Sequence, residues 1–212
     1  MHPQEYDQWY QSPKGKWIGE NEYALCKKML SASAGSSVLD VGCGTGYFSR
    51  KFSADGLQVT AVDLSRENIS FAKHKSHSEQ YAVADMTALP FADQAFDYVV
   101  AITSLCFVDR EEKAIREMMR VARHRVLLGL LNRRSILYWQ KGRKAASGSS
   151  YFGAHWHSAS DLRTMLHTLP AMNLNISSAI LHPDDSMASR YLEKQIGNKT
   201  PFGSFLAVAF DL

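Results

Sequence analysis

Val38-Leu39-Asp40-Val41-Gly42-Cys43-Gly44-Thr45-Gly46 runs an apolar segment straight into three glycines at alternate positions. Continuous apolar residues are what a parallel strand buried on both faces requires. A strand-to-helix turn that hugs a ligand, in turn, has no room for Cβ atoms. The segment from about Thr45 to Ala54 reads as the following helix, whose first N–H groups lack intrahelical partners and would face whatever occupies the turn. The stretch predicts a ligand cradle at the carboxyl end of the first strand. Two ligand chemistries compete for it. The dinucleotide fingerprint spaces its glycines G-x-G-x-x-G, whereas here the third glycine arrives one residue early and is followed by Tyr47-Phe48-Ser49. Asp40, on the strand just before the turn, would repel a pyrophosphate and attract a sulfonium or ammonium group, directly or through water. The loop reads as tuned to a ligand with a cationic part.

Outward from the cradle, Gln58-Val59-Thr60-Ala61-Val62-Asp63-Leu64-Ser65 is a second buried-strand pattern, and its acid lies 23 positions after Asp40. An acid about 20 residues beyond a glycine turn is the usual acceptor for a ribose diol. Tyr81-Ala82-Val83-Ala84-Asp85-Met86 repeats the scheme, with Asp85 a further 22 positions on. A carboxylate there would accept from an exocyclic adenine amine, with Met86 or Leu64 against the ring face. Singly, Asp40 also reads as a turn former, Asp63 as a cap for the helix beginning near Arg66, and Asp85 as a turn residue. Three acids at one edge of one sheet form a constellation that turn chemistry alone explains poorly.

From about Val38 to Leu131 the chain resembles the class I S-adenosylmethionine-dependent methyltransferases, in particular the small type-11 group that includes the ubiquinone and menaquinone C-methyltransferases. The D-x-G-x-G-x-G loop, the two later acids, and Ala88-Leu89-Pro90-Phe91 followed by Phe96-Asp97-Tyr98-Val99-Val100 carry the likeness, with Asp97 beginning the fourth strand. The resemblance implies S-adenosylmethionine as cofactor and S-adenosylhomocysteine as product. It implies that Asp40, Gly42, Cys43, Gly44 and Gly46 serve the methionine end, Asp63 the ribose and Asp85 the adenine amine, with Leu64 and Met86 beside them. Two departures stand out. Leu105-Cys106-Phe107 replaces a pair of histidines common after the fourth strand, and Arg120-Val121-Ala122-Arg123-His124-Arg125 lacks the family's proline and glycines before the fifth. The first bears on the acceptor pocket, the second on a surface turn.

Strand and helix patterns alternate along the 212 residues, which predicts one α/β domain over 1–212. Helices are expected near 20–31, 45–54, 66–76, 110–123 and 159–169, and strands near 36–41, 58–63, 80–84, 96–102, 125–131, 174–182 and 204–210. The fold expected is a Rossmann-like, doubly wound, seven-stranded sheet in three α/β/α layers, the last strands forming an antiparallel edge. No helix between the last two strands is expected to be long enough to force a second domain.

The acceptor would be roofed by an aromatic amino-terminal lid (1–30) and an insertion over 132–158. Tyr6, Trp9 and Tyr10 fall at i, i+3 and i+4, one face of a helical turn. Such a face would cover a cationic methyl donor, placing Tyr10 at the cofactor, or would simply staple the helix to the domain. The insertion adds Tyr138, Trp139, Tyr151, Phe152, His155, Trp156 and His157, with Ser158 or Ser160 as cap for the next helix. If the acceptor must lose a proton, His155 and His157 are the clustered candidates for a base, though each also reads as an ordinary loop histidine. Cys106 reads as core packing rather than as a nucleophile.

The net charge of +3 is mild. The basic group from Arg116 to Arg125 reads as a solvated helix face. The group of Arg133, Arg134, Lys141, Arg143 and Lys144 reads as a solvated loop, or as a reader of an acidic acceptor. The base-methylating N-P-P-Y/F element is absent, which with the charge argues against nucleic acid. No apolar stretch reaches the roughly 20 residues of a membrane span, and three cysteines without a C-x-x-C pair favour a cytoplasmic, disulfide-free protein. No metal site is expected, and the oligomeric state is open. The function expected is methyl transfer to a small-molecule acceptor. The alternatives are a nicotinamide-dependent oxidoreductase and a non-catalytic S-adenosylmethionine-binding protein.

Overall fold

Two aromatic helices precede the sheet. In the computed structural model, α1 (Pro3–Gln11) and α2 (Pro13–Leu30) meet at Ser12, whose Oγ accepts from Gly15 N at 3.0 Å and caps α2. The structure describes residues 2–145 and 149–212, without the side chain of Lys144. Lys144 of the second basic group and residues 146–148 of the expected insertion lie outside what is described.

The sheet strands are β1 (Ser37–Val41), β2 (Gln58–Asp63), β3 (Gln80–Val83), β4 (Phe96–Ile102), β5 (Ala122–Leu131), β6 (Met172–Ala179) and β7 (Phe205–Asp211). The remaining helices are α3 (Tyr47–Ala54), α4 (Arg66–His74), α5 (Glu111–Val121), α6 (Ile136–Gln140), α7 (Ala159–His167) and α8 (Met187–Ile196). The strand order is β3-β2-β1-β4-β5-β7-β6, with β1 to β5 parallel and β7 antiparallel to both of its neighbours. This is the expected doubly wound α/β sheet, its last strand antiparallel. The strand order turns at β1 and β4, the switch point where such sheets open a crevice beyond their carboxyl ends.

Strand alternation sorts the core into two layers. Val38 packs on the side of α2, α3 and α4, with Phe52, Ile69 and Ala72. Leu39 and Val41 pack on the side of α5 and α7, with Ile115, Met118 and Leu162. Ala114, Ile115, Met118 and Val121 of α5 are fully buried, one stripe of the helix turned to the sheet, each large side chain contributing roughly 1.5–3 kcal/mol.

The last two strands form the antiparallel edge expected, β7 lying between β5 and β6 with β6 outermost; the run Phe205–Phe210 of β7 is buried throughout, as an interior strand must be. α8 was not foreseen because its apolar residues Met187, Tyr191, Leu192 and Ile196 face outward, Met187 at 89% exposure, so they draw no stripe toward the core. The Arg116–Arg125 group is not simply a solvated face. Arg120 donates to the carbonyls of Phe91 (2.7 Å) and Leu89 (3.0 Å). Arg125 pairs with Asp211 at 2.7 Å and donates to Met29 O at 3.0 Å, satisfying the end of α2. The missing proline and glycines are explained by α5 passing into β5 without a turn, Val121 to Ala122. No described helix is long and apolar enough to cross a membrane.

Candidate functional site

A cleft of two lobes opens beyond β1, β2, β3 and β4. One lobe, about 270 Å³, is lined by Gly42, Asp63, Leu64, Ala84, Asp85, Met86, Thr87 and residues 107–110. The other, about 240 Å³, is lined by Pro3, Tyr6, Tyr10, Gly42, Cys43, Gly44, Tyr47, Phe48, Asp63, Asn68, Ile102, Thr103 and Phe107. Gly42, Asp63 and Phe107 belong to both lobes.

The glycine turn is built as the spacing predicts, with Gly42, Gly44 and Gly46 at φ of 73°, 54° and 77°. A Cβ on Gly42 would collide with Ser104, and one on Gly46 would come within 2.5 Å of the Tyr81 hydroxyl. Gly44 is different: the nearest atom to its Cβ position is Tyr6 Cε1 at 3.9 Å, so its missing side chain leaves space in the cleft. That is the space a ligand lying against the turn needs. Gly46 caps α3 and does not line the cleft.

The three acids separate. Asp40 lines neither lobe; it is buried beneath α3, accepts from Ser49 Oγ at 2.6 Å, and burial pushes its carboxyl up to about 7. The carboxyl ties α3 to the strand below the turn. Asp63 lines both lobes, its Oδ2 accepting from Gly44 N and its Oδ1 from Ser65 N, each at 2.8 Å. The helix it was expected to cap, α4, is capped by Ser65, whose Oγ accepts from Asn68 N. Asp85 Oδ1 accepts from Thr87 N at 2.8 Å, and that backbone N–H is the first reason its carboxyl lies below the usual range. Leu64, 71% exposed, and Met86 flank the same lobe.

Over the second lobe, Tyr10 stacks on Tyr47 with centroids 3.7 Å apart, and its hydroxyl meets that of Tyr6 at 3.2 Å. Burial raises both phenols above their ordinary value. Trp9, grouped with them by spacing, turns outward. Asp7 on the same helix is buried and accepts from Arg50 at 2.9 Å and Lys75 at 2.5 Å, which ties α1 to α3 and α4. So α1 both staples the domain and walls the cleft. Thr103 sits at φ 51°, a left-handed conformation costly for a β-branched residue, directly at the switch point. Its N–H donates to Gly129 O at 2.8 Å.

His155 and His157 do not face the cleft. His155 Nδ1 lies 3.0 Å from Glu111 Oε1 and His157 Nε2 2.9 Å from Glu111 Oε2, a clasp joining the 132–158 connection to the start of α5. His155 N also donates to Cys106 O at 2.7 Å. Both base candidates thus share one carboxylate, and neither is among the residues lining the two lobes. The Cys106 thiol is buried and pushed up to about 12, as core packing requires. Ser158, not Ser160, caps α7. The cleft also takes in Asn68, Thr103 and Arg110, which motif spacing did not assign to the site. Thr103, just past the end of β4, carried a positional signal; Asn68 on α4 and Arg110 just before α5 carried none.

Residues 39–128 match the type-11 methyltransferase domain family. The chain is 36% identical over 95 residues to malonyl-[acyl-carrier protein] O-methyltransferase of Pectobacterium atrosepticum, covering 45% of this chain and 38% of that enzyme. It thus spans well under half the length of that relative. An uncharacterized protein of Methanocaldococcus jannaschii is 26% identical over 210 residues, covering 98% of this chain and 95% of its own. Among solved structures, a Thermotoga maritima S-adenosylmethionine-dependent methyltransferase, described as a possible histamine N-methyltransferase, superposes with a TM-score of 0.76 at 18% identity, covering 98% and 95% of the two chains. At that identity the likeness is one of fold.

Proposed function

We propose that this chain, which carries a class I S-adenosylmethionine-dependent methyltransferase domain of the type-11 group over residues 39–128, transfers a methyl group to a small-molecule acceptor. The observation that carries the reading is the cleft at the β1–β4 switch, walled by an open Gly44 and by an acid at the end of each of β2 and β3. When bound, S-adenosylmethionine supplies an electrophilic methyl group.

The chain's own residues then bind and orient. Gly44 and Cys43 line the methionine end. Asp63 accepts from the ribose hydroxyls, and Asp85 accepts from the adenine amine with the oxygen Thr87 leaves free. Leu64 and Met86 cover the ring faces. Tyr6, Tyr10 and Phe107 exclude water from the transfer site, where closeness and alignment of the acceptor supply most of the acceleration. A pyrophosphate finds poor company here, since Asp63 lines both lobes and no Lys or Arg lines the second; this argues against the nicotinamide reading. The three free cysteines support a reducing compartment, and the cytoplasm is the proposed location.

The test is methyl transfer from labelled donor into a metabolite extract. Label is expected in dialysable product. Label confined to macromolecules would refute the small-molecule acceptor, and binding of S-adenosylhomocysteine without any transfer would show a non-catalytic binding protein.

A further inference from the structure

At one end of the sheet lie the carboxyl ends of β4 and β5 and, because it runs the other way, the amino end of β7. The cleft opens at this end, and the segments 107–110, 132–158 and 201–204 all emerge there. Hydrogen bonds tie them together. Asn132 Nδ2 donates to Pro201 O at 2.8 Å and to Gly203 O at 2.7 Å, which fixes the turn before β7 to the start of the 132–158 connection. His155 N donates to Cys106 O at 2.7 Å, which fixes the far end of the connection beside Phe107.

Two features mark what this end shows to solvent. Each segment puts out large apolar side chains: Phe107, Ile136, Trp139, Phe152 and Phe202 are between 44% and 66% exposed. Ile136 and Trp139 fall at i and i+3 of α6, on the side away from the buried Leu137. The charge among them has one sign. From Asn132 to Ser158 the sequence holds five Lys or Arg and no Asp or Glu. Arg133 pairs with Asp161 at 3.0 Å, which leaves Arg134, Lys141 and Arg143, all exposed. The Arg143 guanidinium lies 4.3 Å from the centroid of the Trp139 ring, so cation and ring stand together. The apolar residues exposed on α8 differ, since they follow Asp184 and Asp185 and flank Arg190, charges of both signs.

We propose that this end of the domain docks on an anionic lipid bilayer, with Ile136, Trp139 and Phe152 entering the headgroup boundary and Arg134, Lys141 and Arg143 meeting the lipid phosphates. Aromatic and aliphatic side chains settle at that depth, and basic residues among them add attraction to acidic lipids. The apolar side chains come singly, from separate segments, with cations interspersed. A fluid interface accepts such rings without a matching shape, whereas a protein partner calls for one continuous apolar centre within a polar rim. Docked this way, the cleft mouth at Phe107 faces the lipid. The inference goes beyond methyl transfer, and its test does not depend on that reading.

The test is flotation of the full chain with vesicles of phosphatidylcholine alone and of phosphatidylcholine with about a quarter phosphatidylglycerol. The anionic vesicles are expected to bind at least about tenfold tighter than the neutral ones, and less tightly as salt is added. Trp139→Ser combined with Phe152→Ser should weaken binding by about tenfold or more, as should Lys141→Glu combined with Arg143→Glu. Both proteins should melt near the wild-type temperature, because these side chains are exposed. Brominated phosphatidylcholine in the anionic vesicles should quench tryptophan fluorescence of the wild type, and much less that of Trp139→Phe, which stays bound. No binding to anionic vesicles, equal binding to neutral ones, or wild-type binding by either double variant would each overturn the proposal. So would bound protein whose tryptophans are not quenched, since its rings would lie outside the lipid. Binding to heparin without binding to vesicles would also overturn it and assign the surface to an acidic macromolecule in solution.

Discussion

The two lobes of the cleft are built by different means. The first is built largely from strand ends: Asp63 closes β2 and Asp85 lies two residues past β3, and each is held by a backbone N–H within or next to its own turn. The second is made by elements distant in sequence, with Tyr6 and Tyr10 from α1 meeting Tyr47 of α3 and Thr103 beyond β4. A lobe made by local turns keeps its shape as long as the sheet stands. A lobe made by docking depends on ion pairs such as Asp7 with Arg50 and Lys75.

Substitutions can break or sharpen this contrast. The largest effect is expected from Gly44→Val, which places a β-branched residue at φ 54° and fills the open space of the turn. S-adenosylhomocysteine affinity should fall by about a hundredfold or more in a protein whose circular dichroism is unchanged. Next is Tyr10→Ala. Removing a buried ring stacked on Tyr47 should cost about 3 kcal/mol of stability in a denaturant melt, with a much smaller loss of S-adenosylhomocysteine affinity than Gly44→Val. An equal loss in both would erase the distinction between the locally built turn and the docked helix that faces it.

Glu111→Gln should weaken the clasp on His155 and His157. A loss of about 1–2 kcal/mol is expected, with faster hydrogen exchange over the 132–158 connection and unchanged cofactor binding.

The smallest effect is a slope. Burial holds the protons of Asp40 and Glu22 in the folded chain up to about 7 and about 8, whereas an unfolded carboxyl releases its proton near pH 4. The folded chain therefore binds more protons between those limits, and these two groups reduce stability as pH rises through that window. Asp40→Asn and Glu22→Gln should each flatten the fall in melting temperature between weakly acidic and weakly alkaline buffer. A steeper fall in either variant would contradict the assigned burial.

Local pattern determined what could be foreseen. The nonapeptide at 38–46 and the acids at 63 and 85 are legible because strand, turn and acid follow each other within a few residues, and a buried parallel strand leaves an unbroken apolar run. Asp40 was legible as part of the motif, but its direction was not: strand alternation puts it under α3, against Ser49 rather than the ligand. α8 escaped notice because its apolar residues face solvent. The place of β7 between β5 and β6 is a matter of long-range pairing, which no local periodicity records. His155 and His157 looked catalytic as an alternating pair, yet Glu111, 44 and 46 positions away, takes both.

The most direct test of the account is titration of the chain with S-adenosylhomocysteine and with NADH, repeated on Asp63→Ala and Asp85→Ala. S-adenosylhomocysteine is expected to bind and NADH is not. Asp63→Ala should lose more affinity than Asp85→Ala, because Asp63 also holds the Gly44 N–H of the turn. Binding of NADH alone, or S-adenosylhomocysteine binding unchanged in both variants, would contradict it.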